Sequence, residues 1–166
     1  LVNYKYALCS AQLIKRGELS QENISKLMYS SLIVKTLDGK IVFGLGAKQR
    51  YVGELKFVGG VYSKKENTVT DGDTLFESAR NELHEELGVS SDHIETMTLD
   101  RIYTTPLGYR DLCFTAQLDC SSDHVRKLFQ DRPDEELSDI LILSPEEAKK
   151  WVSELQDRRS EKAELL

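Results

Sequence analysis

Glu82, Glu85 and Glu86 lie within five consecutive residues, just ahead of Gly88. On a helix turning about 100° per residue, positions i, i+3 and i+4 share a face, so three carboxylates point the same way. Like charges at this spacing repel, and no lysine or arginine is interleaved between residues 82 and 86. The missing positive charge is one that a hard divalent cation supplies, because Mg²⁺ and Mn²⁺ prefer oxygen ligands and clustered carboxylates provide them.

Several elements must hold those side chains in place. Thr74-Leu75-Phe76-Glu77 has the form of a capping box and Gly88 suits a left-handed cap, so the pattern predicts a helix over about residues 74–87. Phe76, Ala79, Leu83 and Leu87 form its apolar stripe, and the glutamates stand roughly a quarter to a third of a turn away, at the edge of a core. Upstream, Ser31–Thr36 and Ile41–Gly46 are β-rich runs around Asp38-Gly39, a hairpin dipeptide. Glu54–Val58 is a third predicted strand, ending at Gly59-Gly60, and the polar stretch Tyr62–Gly72 reads as a loop. Downstream, Ile102–Thr105, Leu112–Leu118 and Ile140–Leu143 read as strands. Ser144-Pro145-Glu146-Glu147 opens a helix with Trp151, Val152 and Leu155 on its packed side. A short helix is expected over Gln21–Met28, after Ser20. The mixture indicates the α+β class.

The chain has 166 residues, 40% hydrophobic and 30% charged, enough for one well-buried core and short for two. A single domain over 1–166 is expected, with an N-terminal extension to about residue 30 and a charged tail over about 157–166. No run approaches the roughly 18 apolar residues of a membrane span, and the N-terminus lacks a secretory-signal layout, so an intracellular, cytoplasmic protein is expected. Cys9, Cys113 and Cys120 are odd in number and without Cys-x-x-Cys spacing, which argues against a disulfide framework and a zinc site. His84, His93 and His124 are dispersed, and no metal site is expected from them. The net charge of −6 argues against a broad basic surface for nucleic acid, yet a metal ion and a few local cations can hold a polyphosphate.

Gly59-Gly60, Gly72-Asp73 and Glu82-Leu83-His84-Glu85-Glu86-Leu87-Gly88-Val89 together resemble the signature of the Nudix hydrolases, G-x5-E-x7-R-E-U-x-E-E-x-G-U with U a bulky aliphatic residue. From Glu82 to Val89 every defined position is satisfied. The resemblance implies an α/β/α sandwich with a mixed sheet flanked by helices, and hydrolysis of a nucleoside diphosphate linked to another group. It implies that Glu82, Glu85 and Glu86 bind Mg²⁺ or Mn²⁺, with the Gly60 carbonyl as a further ligand. Ions so held would neutralise the pyrophosphate and hold a water of lowered pKa for in-line attack, with no covalent nucleophile. The general base is Glu82 or a carboxylate of the Glu135-Glu136 pair, with Glu136 preferred over Glu135.

Three positions depart from the family pattern. Asp73 replaces its first glutamate, twelve residues instead of five separate Gly60 from Asp73, and Asn81 replaces the arginine that orients the adjacent glutamate. The longer loop costs little entropy. Arg80 is no substitute, since it points roughly 160° from Glu82 around the helix. Asn81 orients Glu82 through its amide, or another basic residue reaches in, or turnover is slow. Lys48, Arg50 and Arg110 are candidates for phosphates, and Tyr51, Phe57, Tyr103 and Tyr109 for stacking on a base. Expected partners are nucleotides, dinucleotides, nucleotide sugars or capped RNA. The alternative is a Nudix-like domain with weak or no catalysis that binds a nucleotide, RNA or protein partner. The sequence leaves the oligomeric state open.

Overall fold

The computed structural model describes residues 16–17, 28–47, 55–62, 72–104 and 109–164, with the side chains of 72–73 and 155–164 outside that description. The helix expected over Gln21–Met28 lies outside the described residues, except for Met28, which opens the first strand.

Strands β1 (Met28–Lys35) and β2 (Ile41–Gly46) form the expected antiparallel hairpin, with Gly39 in the turn at φ 75°. Their pairing is confined to Val34 with Val42 and Lys35 with Ile41. Beyond that point they splay. β1 continues alongside β5 (Arg110–Leu118) in parallel register, whereas β2 pairs antiparallel with β6 (Leu137–Leu143) and with the two-residue β3 (Leu55–Lys56). β4 (Ile94–Thr104) completes the six-stranded sheet on the far side of β5.

The segment after β3 fills the gap opened by the splay. The Leu32 N–H donates to the Val58 carbonyl (2.8 Å), the Ser30 N–H to the Gly60 carbonyl (2.9 Å), and the Tyr62 N–H to the Met28 carbonyl (3.0 Å). The expected strand over Glu54–Val58 is therefore shorter as a regular ladder, because its second half becomes a wedge bridged to β1 at Leu32 and Tyr29. Gly59-Gly60 is the tip of that wedge.

Helix α1 (Gly72–Leu87) starts two residues ahead of the predicted capping box, which puts Thr74 inside the first turn. Thr70, Asp71, Asp73 and Thr74 are all suited to a helix start, so the sequence offers competing boundaries. Its end is as predicted. Gly88 has φ 72°, its N–H donates to the His84 carbonyl (2.9 Å), and the Val89 N–H reaches the Leu83 carbonyl (3.2 Å). Ala79, Leu83 and Leu87 are fully buried in a core with Leu32, Val34, Val58, Phe114 and Leu118, and Phe76 packs edge-on to Phe114.

Alternate residues of the same strands face the other way, because side-chain direction reverses at each step along a strand. Phe43 and Leu143, with Ile41 and Leu141 beside them, pack there under Ala148, Trp151 and Val152 of helix α3 (Pro145–Glu164). Ser144 caps α3 as expected: its N–H and hydroxyl both donate to Glu147 Oε2, and its Oγ accepts from the Glu147 N–H. The result is a mixed sheet between helical layers, the α+β sandwich predicted.

The sequence reading shortened one strand and missed one helix. β4 runs eleven residues rather than beginning at Ile102, because register shifts at Ile94/Thr96 and Leu99/Arg101 break the period-2 alternation that marks a strand. Helix α2 (Ser122–Gln130) has nine residues and inserts only Val125 and Phe129 fully into the core, too few for a clear stripe. The Ser121 cap, which accepts from the His124 N–H, was its legible signal.

Candidate metal centre

Helix α1 presents its carboxylates to the glycine wedge. Glu86 is buried (1% exposed); its Oε1 takes an ion pair from Lys56 Nζ at 2.6 Å and its Oε2 accepts the Gly59 N–H at 2.9 Å. A carboxylate this deep is costly without partners, and these two bonds offset that cost. Glu86 thereby cross-links α1, β3 and the wedge.

Glu82, one turn earlier, lies against the Gly60 Cα so closely that a Cβ there would collide with its carboxylate. Gly59 is needed for a different reason. Its φ is 139° and a Cβ would run into the Ser30 carbonyl, so backbone conformation and sheet packing both demand glycine. The Gly60 carbonyl accepts the Ser30 N–H, which leaves a second lone pair on that oxygen.

Burial pushes the Glu82 carboxyl up to about 7; the charges of Glu86, Glu85 and Glu136 push the same way, and Lys56 opposes them. Glu86 is also raised by burial, against the pull of its Lys56 and Gly59 bonds, and Glu136 adds to the rise. Glu136, in the segment before β6, thus belongs to the same electrostatic group. Tyr62 lines it from below: burial, with some help from the Glu82 charge, pushes its phenol up to about 12, and its hydroxyl donates to the Leu75 carbonyl at 3.1 Å. The all-oxygen donor set, the raised carboxyls and the side-chain-free approach at Gly60 fit a hard divalent cation.

The raised Glu82 carboxyl has a measurable sign. A carboxyl moved from 4.5 to about 7 on folding favours the folded state below pH 4.5, and that contribution is lost as pH rises through about 7. In EDTA, Glu82→Gln is expected to match the parent in stability near pH 4.5 and to exceed it by on the order of 2 kcal/mol at pH 8. Thermal melts at the two pH values check this, and a gap that fails to open with pH would refute the burial argument.

The structure therefore brings Gly60, Glu82, Glu85, Glu86 and Glu136 to one place, while Glu135 is exposed beside them. Asn81 is exposed and lines a groove between α1 and β4 with Arg80. Among the described residues, the cation at the cluster is Lys56, which sequence reasoning missed. Its signal was a lysine within the run Leu-Lys-Phe-Val, where alternation turns it to the α1 side. Its neighbour Phe57 faces the other way, against Phe43 at 5.4 Å between ring centroids and in a groove with Val152, which removes it from the carboxylates as a stacking residue. Tyr103 and Arg110 are exposed near the β4–β5 connection and Tyr109 is partly buried there. Lys48, Arg50 and Tyr51 lie outside the described residues, as does the Asp73 side chain. Among the described residues no helix is long and apolar enough to cross a membrane.

No family sequence profile and no curated protein sequence matches the chain. Solved structures do. The NUDIX domain of Shewanella oneidensis NrtR, in complex with ADP ribose, is similar over 84% of this chain and 86% of its own, at 11% identity and a TM-score of 0.56. A NUDIX hydrolase from Nitrosomonas europaea is similar over 76% and 77% (15% identity, TM-score 0.54). A mutT/nudix family protein from Listeria innocua is similar over 87% of this chain and 100% of its own (14% identity, TM-score 0.54). The fold of this chain is that of the Nudix hydrolases.

Proposed function

We propose that this protein is a Mg²⁺- or Mn²⁺-dependent pyrophosphohydrolase that cleaves a diphosphate linkage in a nucleoside diphosphate derivative. The observation that carries the reading is the convergence of Glu82, Glu85, Glu86 and Glu136 on the glycine wedge, with Lys56 offsetting part of their charge. An ADP-ribose complex among structures of this fold supports a nucleotide derivative as substrate.

A bound divalent ion supplies charge neutralisation at the diphosphate and a water of lowered pKa. The residues of the chain divide the remaining work. Exposed Glu85 and the carboxylate of Glu82 have free oxygens to offer an ion, and Gly60 adds its second carbonyl lone pair. Glu86, with both oxygens already bonded, fixes the helix to the wedge and offers an ion its remaining lone pairs. Water attacks phosphorus, the anhydride P–O bond breaks, and the proton released goes to Glu82 or Glu136, giving two phosphate products.

A second reading rests on Asn81, which stands where the family has an orienting arginine: a nucleotide-binding domain with little catalysis. One assay separates the two. ADP-ribose, nucleotide sugars, dinucleotides, nucleoside di- and triphosphates and capped RNA are incubated with enzyme in Mg²⁺, Mn²⁺ or EDTA, and release of phosphate or mononucleotide is measured. Metal-dependent cleavage of at least one compound is expected. If none is cleaved and one raises the melting temperature, the binding reading replaces the enzymatic one.

A further inference from the structure

His93 and His124 are far apart in sequence, yet folding places their rings 5.2 Å apart, centroid to centroid. His93 ends a 3-10 turn (Ser91–His93) before β4, and His124 lies in the first turn of α2. Between them runs the end of β5 and its exit, carrying Asp119 and Cys120. His93 Nδ1 lies 3.4 Å from Asp119 Oδ1, and the ligand atoms of His93, Asp119 and Cys120 all fall within 4.8 Å of one another. The dispersal that argued against a histidine metal site in the sequence does not survive folding.

We infer that His93, Asp119 and Cys120, with His124 alongside, form a second metal site, one that takes a borderline divalent transition metal of the Zn²⁺ type. Bonds of about 2.0–2.3 Å meeting at tetrahedral angles put neighbouring ligand atoms about 3.3–3.7 Å apart. The His93–Asp119 separation already has that value, and the pairs that Cys120 makes with His93 and Asp119, within 4.8 Å, need to close by up to about an ångström, within reach of side-chain rotation. The donor set also selects the ion. One thiolate, one carboxylate and neutral imidazole balance a 2+ charge, and sulfur with nitrogen suits Zn²⁺ or Co²⁺ rather than Mg²⁺. The all-oxygen carboxylates of α1 have the opposite preference, so the two sites separate by ligand softness.

The backbone around the site is fixed. The Asp119 N–H donates to the His93 carbonyl (3.1 Å), the Leu37 N–H to the Cys120 carbonyl (2.9 Å), and Ser122 donates both its N–H (2.8 Å) and its hydroxyl (2.7 Å) to Asp38. Three chain segments therefore meet with little freedom left to lose on binding. An ion here would tie α2 to the sheet. α2 in turn abuts the end of α1, since a Cβ on Gly88 would strike the Leu128 carbonyl.

The test is a Co²⁺ titration of the full chain under reducing conditions, read by absorption. One equivalent is expected to give the intense d–d bands of a tetrahedral ion together with a thiolate charge-transfer band. Both should persist in Glu85→Gln and Cys113→Ser, disappear in Cys120→Ser, and be displaced by Zn²⁺ but not by excess Mg²⁺. Asp119→Asn, at an exposed position that threatens no core, should weaken Co²⁺ binding at least about tenfold. Zn²⁺ should raise the melting temperature of the parent and not of Asp119→Asn. Weak octahedral bands alone, a charge-transfer band that survives Cys120→Ser, or equal affinity in Asp119→Asn would overturn the assignment.

Discussion

Glu85→Gln is expected to lower metal-dependent hydrolysis by on the order of 100-fold or more while leaving the melting temperature in EDTA within about 2 °C of the parent. Among the three helix carboxylates, Glu85 is the one whose side chain is exposed, and the bond its backbone makes, from the Asp134 N–H to the Glu85 carbonyl, is untouched by the change. The amide keeps the size of the carboxylate and removes its charge, so a loss of activity reports on the ion and not on the fold. Glu86→Gln would be ambiguous by comparison, because it also breaks the ion pair with Lys56. Initial rates at saturating Mg²⁺ with a cleaved substrate from the panel, alongside thermal melts, check the prediction. Full activity in Glu85→Gln would remove this residue from the centre.

Gly59→Ala is expected to destabilise the protein by on the order of 3 kcal/mol, roughly a 10 °C fall in melting temperature for a chain of this size. Two penalties combine: φ 139° is a region that residues with a Cβ avoid, and the new methyl meets the Ser30 backbone, which cannot swing aside as a side chain can. Gly60→Ala should behave differently. Its methyl meets the Glu82 carboxylate, the far end of a flexible side chain, so the carboxylate is displaced and stability changes by less. Neighbouring glycines are thus expected to divide cleanly, Gly59→Ala costing stability and Gly60→Ala costing metal-dependent activity. Urea unfolding of both variants with parallel rate measurements distinguishes them, and equal stability losses would contradict the distinction.

Much of the site was legible because it is local. Glu82, Glu85 and Glu86 share a face through helical periodicity alone, and Gly88 announces the end of that helix whatever surrounds it. What the sequence concealed depends on long-range pairing. Lys56 acquires its role through a contact thirty residues away, and no spacing rule connects it to Glu86. Tyr62 was placed at the start of a polar loop, yet its hydrogen bond to Met28 draws it into the core. β4 hid behind its register shifts, and His93 with His124 behind the fold of β5 between them. Asn81 remains the residue whose sequence position promised most and whose structure explains least: it is exposed beside Arg80, and no described contact assigns it the orienting task.

The splay between β1 and β2 also ties the carboxylates to the sheet. β1 and β2 part beyond Val34 and Val42, and the wedge lies in the gap, joined to β2 through β3 and to β1 at Leu32, Ser30 and Met28, while β5 holds the opposite edge of β1. Only with Gly59-Gly60 seated there does Glu86 have both of its partners and Glu82 its place against Gly60. The arrangement of carboxylates around Gly60 therefore exists only where the wedge is in its slot. A molecule whose wedge is unseated keeps its three glutamates on one helix face but lacks Gly60, Gly59 and Lys56 beside them, so the proposed ion capture by this helix is coupled to seating of the wedge.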